Sequence, residues 1–493
     1  MPQARRLFYN YGFLSMAQLF LFAGGIISVS ILARILGPYD YGRYNLFLFS
    51  AQILSMFAST WVLNPAAAKF ASEEFLKTKS IGKTFYSELT IVFVNTIIVG
   101  LVLFLLRSKI SSFLSIDSHF VTILIFIYIV FFAIFNLFYF CFQGSLQFKV
   151  FGLMPLVRSL VFIILLFLAI SFKSFGFNLA VSCLSLSYII AILIFWPRIK
   201  GICHFGIDTK MIRDILSFSW PVIFFVVGNF SLDWVDKYML KVLISTYAVG
   251  IYSAAWTLTS NLVMLPQLLY TLIMPIITSY KIQDRNEHVK FYLNKFVPQC
   301  ALFFSFLVTL GIVFASVFMP MLYGSKYAES INIFIILALG SLFMGIKYFY
   351  NPVSTVFNFI RLTGSINLIT AVICILLNFV FISAFGITGA AVATAASSFL
   401  ACAAVMFIIN KQFGIVNFRA LFCSMPAIIV SILCLFNRGL LINLISSFLV
   451  FSLVYLLVKR LKIFSKADIV YIEKIDMPPW AKRQVLRFYG SFN

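Results

Sequence analysis

The chain has 493 residues, of which 62% are hydrophobic and only 11% charged, with a mean hydropathy of +1.04. A soluble domain is about 45–50% apolar and about 25% charged, so these values exclude a soluble globular protein and describe an all-α polytopic membrane protein. The net charge of +22 follows from membrane topology and is no sign of nucleic-acid binding.

About 20 apolar residues cross a bilayer as a helix. In chain order the sequence predicts about 14 transmembrane helices: 11–35, 44–68, 85–106, 120–142, 153–172, 177–196, 217–240, 249–278, 296–319, 331–357, 363–384, 388–409, 418–436 and 440–458. With an even number of spans both ends lie on one side. If that side is cytoplasmic, it holds 26 of the 37 Lys and Arg residues and the opposite side holds 8, including Arg43 in an outer loop. Positive charge accumulates on the cytoplasmic side, so both termini are expected there. The loops 69–84 and 280–295 read as amphipathic interfacial segments. The basic tail, with MPPW at 477–480, reads as a segment resting on anionic headgroups.

One stretch occurs twice. ARILGPYDYGRYNLF at 33–47 aligns with KVLISTYAVGIYSAA at 241–255, matching Leu36 with Ile244, Tyr39 with Tyr247, Gly42 with Gly250 and Tyr44 with Tyr252. Pro65 and Pro275 follow at nearly the same offset, as do SFG at 174–176 and AFG at 384–386. This predicts two six-helix lobes related by an internal repeat, 1–200 and 201–412, then two accessory C-terminal helices at 413–460 and a basic cytoplasmic tail at 461–493. Such a duplication places a transporter's working site between its halves. Pro65 and Pro275 are expected to interrupt their helices, as static kinks or as hinges.

The eight cysteines are scattered, without a CxxC pair, and read as small apolar helix residues. The three histidines are far apart, so no metal or cofactor is expected. No GxxxxGK[ST] loop occurs, which speaks against direct ATP use. The outer loops are short and DWVD falls inside a span, so an enzyme is not expected and no catalytic residue is assigned.

A charge at mid-membrane costs roughly 2.5–3.5 kcal/mol on insertion scales, so each one is a candidate functional residue. Arg158, Asp233, Asp236, Lys237 and Lys347 lie within predicted spans, with Glu88 and Arg34 near span ends. Asp233 and Lys237 are neighbours at i and i+4. They form either a self-neutralising pair or a polar cavity lining in which a carboxylate takes up a proton or sodium ion. Arg158 and Lys347 have no sequence-local acid; each pairs across the bundle, snorkels to the interface, or lines a cavity for an anion. Glu88 and Arg34 read as interfacial charges, with a place at the site as the alternative. Arg158, Lys347, Lys237 and Arg34 are therefore the candidate substrate-binding residues, and Asp233, Asp236 and Glu88 the candidate ion-coupling residues. The excess of cations points to an anionic cargo.

The duplicated stretch, MLYGSKYAES at 321–330 and NFVFISAFGITGAAVATAAS at 378–397 together resemble the bacterial lipid-linked oligosaccharide flippases. These form the Wzx-type polysaccharide-transport branch of the multidrug/oligosaccharidyl-lipid/polysaccharide exporter superfamily. The resemblance runs over residues 5–460. It implies a V-shaped two-lobed bundle and flipping of a polyprenyl-diphosphate-linked oligosaccharide across the bacterial cytoplasmic (inner) membrane, by alternating access and with ion coupling. Surface polysaccharide such as O-antigen or capsule would be the product. The partners implied are the lipid-linked oligosaccharide, membrane lipids, and polysaccharide polymerase and chain-length proteins. A multidrug or cation antiporter and a peptidoglycan-precursor flippase of the same superfamily are the alternatives. No binding role follows for Gly42, Tyr44 or Gly324.

Overall fold

A computed structural model describes residues 2–115, 119–171, 175–220, 222–415, 418–436 and 439–460. The predicted tail 461–493 with its MPPW segment, Lys173, Pro221 and Arg438 lie outside the described residues. The described residues are helical with no strand, as a backbone in lipid must satisfy its own hydrogen bonds.

Two compact units result. The first takes Met1–Thr257 with Leu322–Tyr327. It contains α1 (Pro2–Ser55), α2 (Trp61–Thr78), α3 (Gly82–Leu105), α4 (Arg107–Leu114), α5 (His119–Gly144), α6 (Phe148–Ile170), α7 (Phe177–Lys200), α8 (Thr209–Ser219), α9 (Val222–Leu243) and the start of α10 (Thr246–Ile282). The second takes Leu258–Met321 and Ala328–Asn493. It holds the rest of α10, then α11 (Asn286–Phe291), α12 (Val297–Val313), most of α13 (Ala315–Tyr323), α14 (Ser330–Val356), α15 (Ile360–Gln412), α16 (Arg419–Phe422), α17 (Met425–Phe436) and α18 (Leu440–Arg460). This division of the chain falls at Thr257.

Ten helical stretches among the described residues are long and apolar enough to cross a membrane, which makes this a multi-pass membrane protein. Two of them are too long for one crossing. Met16–Thr78 and Leu362–Gln412 have 63 and 51 residues, about 95 and 77 Å at 1.5 Å per residue, against a core of about 30 Å. Each contains a glycine in a non-helical conformation, Gly37 (φ 70°, ψ 172°) and Gly386 (φ 62°, ψ −137°). Positive φ is accessible to glycine at little cost, so the chain turns there without leaving its hydrogen-bonded path for long. Neither Pro266 nor Pro275 ends its helix, as α10 continues through both. Likewise α6 continues through Pro155 and α14 through Pro352.

The twice-occurring stretch packs against itself. A Cβ placed on Gly42 would overlap the Thr246 carbonyl oxygen, and one on Gly250 would overlap the Pro38 carbonyl oxygen. Each glycine is also against the backbone nitrogen of the other. Pro38 and Gly42 correspond to Thr246 and Gly250 in the sequence alignment of the two copies, so the contact is reciprocal. Only two residues without side chains let helix backbones approach this closely. The motif MLYGSKYAES has a matching role. Gly324 (φ 88°) turns the chain, Tyr323 and Tyr327 are each 1% exposed, and the Tyr327 hydroxyl donates to the Ala33 carbonyl at 3.0 Å. Its ring meets that of Tyr41 edge-on at 6.3 Å.

Residues expected to be loop or interfacial are partly helical. α2 extends to Thr78, and α8 is a separate short amphipathic helix. Asp208 caps α8, its Oδ1 accepting from the amides of Lys210 and Met211. Met211, Ile212 and Ile215 of α8 face Val62, Ala66 and Ile91, while Lys210, Arg213 and Asp214 are exposed. None of the eight cysteines forms a disulfide.

Candidate functional site

In the first unit Arg158 lies ten residues into α6, about 15 Å from its start, and is half-buried. Its guanidinium sits 5.0 Å from the ring centre of Tyr188 on α7. The Tyr44 and Tyr128 hydroxyls, from α1 and α5, are within its electrostatic reach, and the Tyr128 and Tyr188 hydroxyls are hydrogen-bonded. Tyr188 stands edge-on to Tyr128 at 5.6 Å. Three helices, α1, α5 and α7, thus bring phenols to one cation on α6.

In the second unit Lys347 of α14 donates to Asn367 Oδ1 of α15 at 2.8 Å. It too is half-buried. On the next residue, the Tyr348 hydroxyl accepts from Gln267 Nε2 at 2.9 Å.

The ion pairs among the described residues are Arg43–Asp40, Lys83–Asp208 and Lys290–Glu287. Neither Arg158 nor Lys347 takes part in one, so the reading that each pairs with an acid across the bundle is not met there. Their partners are a π face and a neutral amide. A cation–π contact contributes about 0.5–2 kcal/mol and a hydrogen bond to a charged group about 1.5–3 kcal/mol. Neither neutralises the charge, and an anionic ligand would.

Asp236 and Lys237 do not join that arrangement. Lys237, 3% exposed, is held against the indole rings of Trp234 at 4.1 Å and Trp256 at 5.0 Å. Asp236, 1% exposed, accepts from the Tyr252 hydroxyl at 2.6 Å. Tyr252 in turn stacks near Trp256. The two charges therefore tie α9 to the first turns of α10. The side chain of Asp233 lies outside the described residues. Tyr252→Phe removes the hydroxyl that donates to buried Asp236 and should cost about 1–3 kcal/mol. A drop in melting temperature of the purified protein, with Asp236→Asn less affected, checks this.

Two sequence readings change. Glu88 is no interfacial charge: it is 0% exposed, six residues inside α3. Arg43 is no solvated loop residue. It sits on α1, pairs with Asp40 at 2.9 Å and covers the Phe177 ring at 5.1 Å. Arg34 is exposed on α1. The phenol cluster itself had no local signal, since its tyrosines come from three separate helices.

A sequence model of the family described as "Polysaccharide biosynthesis protein" matches residues 7–281. The "Probable low-salt glycan biosynthesis flippase Agl15" of Haloferax volcanii is 25% identical over 193 residues. That match covers 38% of this chain and 40% of the relative, so the chain spans well under half of that protein's length. Among solved structures, "Lipid II flippase MurJ, inward closed conformation" superposes with a TM-score of 0.68 at 17% identity, covering 91% of this chain and 99% of that one. An inward-facing multidrug resistance MATE family transporter of the MOP superfamily gives 0.63 at 15%, covering 81% and 94%. These two likenesses establish the fold.

Proposed function

The chain belongs to the polysaccharide biosynthesis protein family, and on that premise we propose that it is a flippase for a lipid-linked saccharide. The cargo would be a polyprenyl-diphosphate-linked oligosaccharide, moved from the inner to the outer leaflet of the cytoplasmic membrane for surface polysaccharide assembly. The observation that carries this is the pair of half-buried membrane cations, Arg158 and Lys347, without a carboxylate partner among the described residues. A diphosphate supplies the missing negative charge and suits a guanidinium fork. The Tyr348–Gln267 pair beside Lys347 offers hydroxyl and amide groups suited to sugar hydroxyls. A cationic drug would be repelled by the same two groups, which disfavours the antiporter reading.

Fourteen crossings fit this reading. The breaks at Gly37 and Gly386 make two spans of each long stretch, and α9 and α18, with 22 and 21 residues, are long enough to add two more. Two lobes at 1–200 and 201–412, accessory helices at 413–460 and cytoplasmic termini belong to the same proposal. So do alternating access and partnership with polysaccharide polymerase and chain-length proteins. The reciprocal Gly42–Gly250 contact supports the repeat.

Complementation tests the function. Cells lacking their own flippase accumulate lipid-linked saccharide on the inner leaflet; expression of this chain should restore surface glycan. Normal expression at the membrane with no restoration for any lipid-linked saccharide would count against it. Topology is checked in the same cells. Cysteines placed at Lys326 should react with an impermeant reagent from outside, and those at Lys290 should not.

A further inference from the structure

Glu88 is an acid with no cationic partner among the described residues. It is completely buried in α3, and neither carboxyl oxygen has a hydrogen-bond partner. Thr84, one turn earlier on the same face, is also fully buried with its hydroxyl unpartnered. None of the three ion pairs among the described residues includes Glu88.

Among the described residues, the groups around it supply no cation. From α5, Cys141 is close enough to feel its charge, and Glu74 of α2 and Cys203 of the loop after α7 lie near the same cysteine. The Glu74 carboxylate is already engaged with the amides of Lys83 and Thr84 at the start of α3. Lys83 reaches away towards Asp208 at 3.9 Å. The turn Met56–Thr60 that packs on α3 contains no titratable residue. Lys210, Arg213 and Asp214 of α8 are exposed, and Arg107 and Lys109 of α4 lie beyond the far end of α3.

An isolated carboxylate in such a place costs several kcal/mol. A metal cation would need several oxygen ligands, and no cluster of metal-binding side chains occurs among the described residues. A proton needs only one oxygen. We propose that Glu88 is a proton-binding site of the first unit. In the packed arrangement the acid form is held. The carboxyl O–H bond breaks, and the proton passes to water, only when α3 parts from α5 and water reaches the group. The proton bound or released is then tied to a conformational change, which is the requirement for coupling transport to a proton gradient. The coupling clause rests on the flippase reading above; the proton site itself does not.

The test uses the full-length protein. Infrared spectroscopy should show the carbonyl stretch of a protonated carboxyl at neutral pH that disappears in Glu88→Gln. In protein retaining Cys141 as its single cysteine, thiol labelling should rise with pH at least about tenfold more steeply than in Glu88→Gln, because ionised Glu88 opens the contact that buries Cys141. Glu88→Asp should keep both signals. An infrared spectrum unchanged by Glu88→Gln, or identical labelling profiles in the two proteins, overturns the site. In proteoliposomes, Glu88→Gln should flip cargo at a rate indifferent to a pH gradient; a rate that still follows the gradient overturns the coupling. If the wild type flips nothing while the infrared and labelling results hold, the flippase reading fails and the proton site stands.

Discussion

Alanine at Gly250 is expected to weaken or abolish folding, and alanine at Gly42 to do the same. In both cases the new methyl group would meet a backbone carbonyl, Pro38 for Gly250 and Thr246 for Gly42. A backbone atom cannot rotate away as a side chain can, so the helices must separate. Overpacking costs typically about 1–3 kcal/mol for an added methylene in a tight site. Here the loss extends further, because the same crossing positions Tyr41, Tyr44 and Tyr252, all buried. Gly25 is the control. A Cβ there meets nothing within 4 Å, and glycine inside a helix is worse than alanine by about 0.5–1 kcal/mol, so Gly25→Ala should be neutral or stabilising. Melting temperatures of the purified proteins decide the matter. Equal melting of Gly250→Ala and Gly25→Ala would mean that the crossing is looser than described.

Arg158→Ala and Lys347→Ala should each reduce flipping at least about tenfold while the protein still inserts. Losing one contact of about 1.4 kcal/mol to the travelling diphosphate is enough for that factor. The two substitutions should raise stability slightly or leave it unchanged, since each removes a membrane charge that no acid offsets among the described residues. That opposite movement of stability and transport separates a ligand-binding cation from a structural one. Arg158→Lys should recover part of the transport, as it keeps the charge but loses the two-pronged geometry. Flipping at the wild-type rate in both alanine variants would remove these residues from the pathway.

Much of the architecture was legible in the chain because hydropathy and length act locally. Membrane-spanning helices follow from the bilayer's refusal of unpaired backbone. The meaning of Gly42 and Gly250 was half legible. Their alignment marked them as equivalent, but not that the equivalents touch. Arg158 and Lys347 were visible as costly charges; Tyr44, Tyr128 and Tyr188 were not, because phenols spread over α1, α5 and α7 share no spacing. Glu88 was misread for a physical reason. Its distance from the helix end suggested the interface, yet burial there is set by α5 packing alongside, which sequence distance does not report. Asp236 and Lys237 looked like a pair with Asp233, while the described contacts of both run sideways to Tyr252, Trp234 and Trp256.

The most direct test of the central claim is flipping in proteoliposomes. Purified protein is reconstituted with a fluorescent polyprenyl-diphosphate oligosaccharide, and a membrane-impermeant reagent modifies only the sugar that faces outward. The account predicts that the protected half of the cargo becomes reactive when the protein is present, and stays protected with Arg158→Ala or Lys347→Ala. Protection that persists with the wild-type protein across several lipid-linked saccharides, alongside ion-driven movement of a small organic cation, would contradict it.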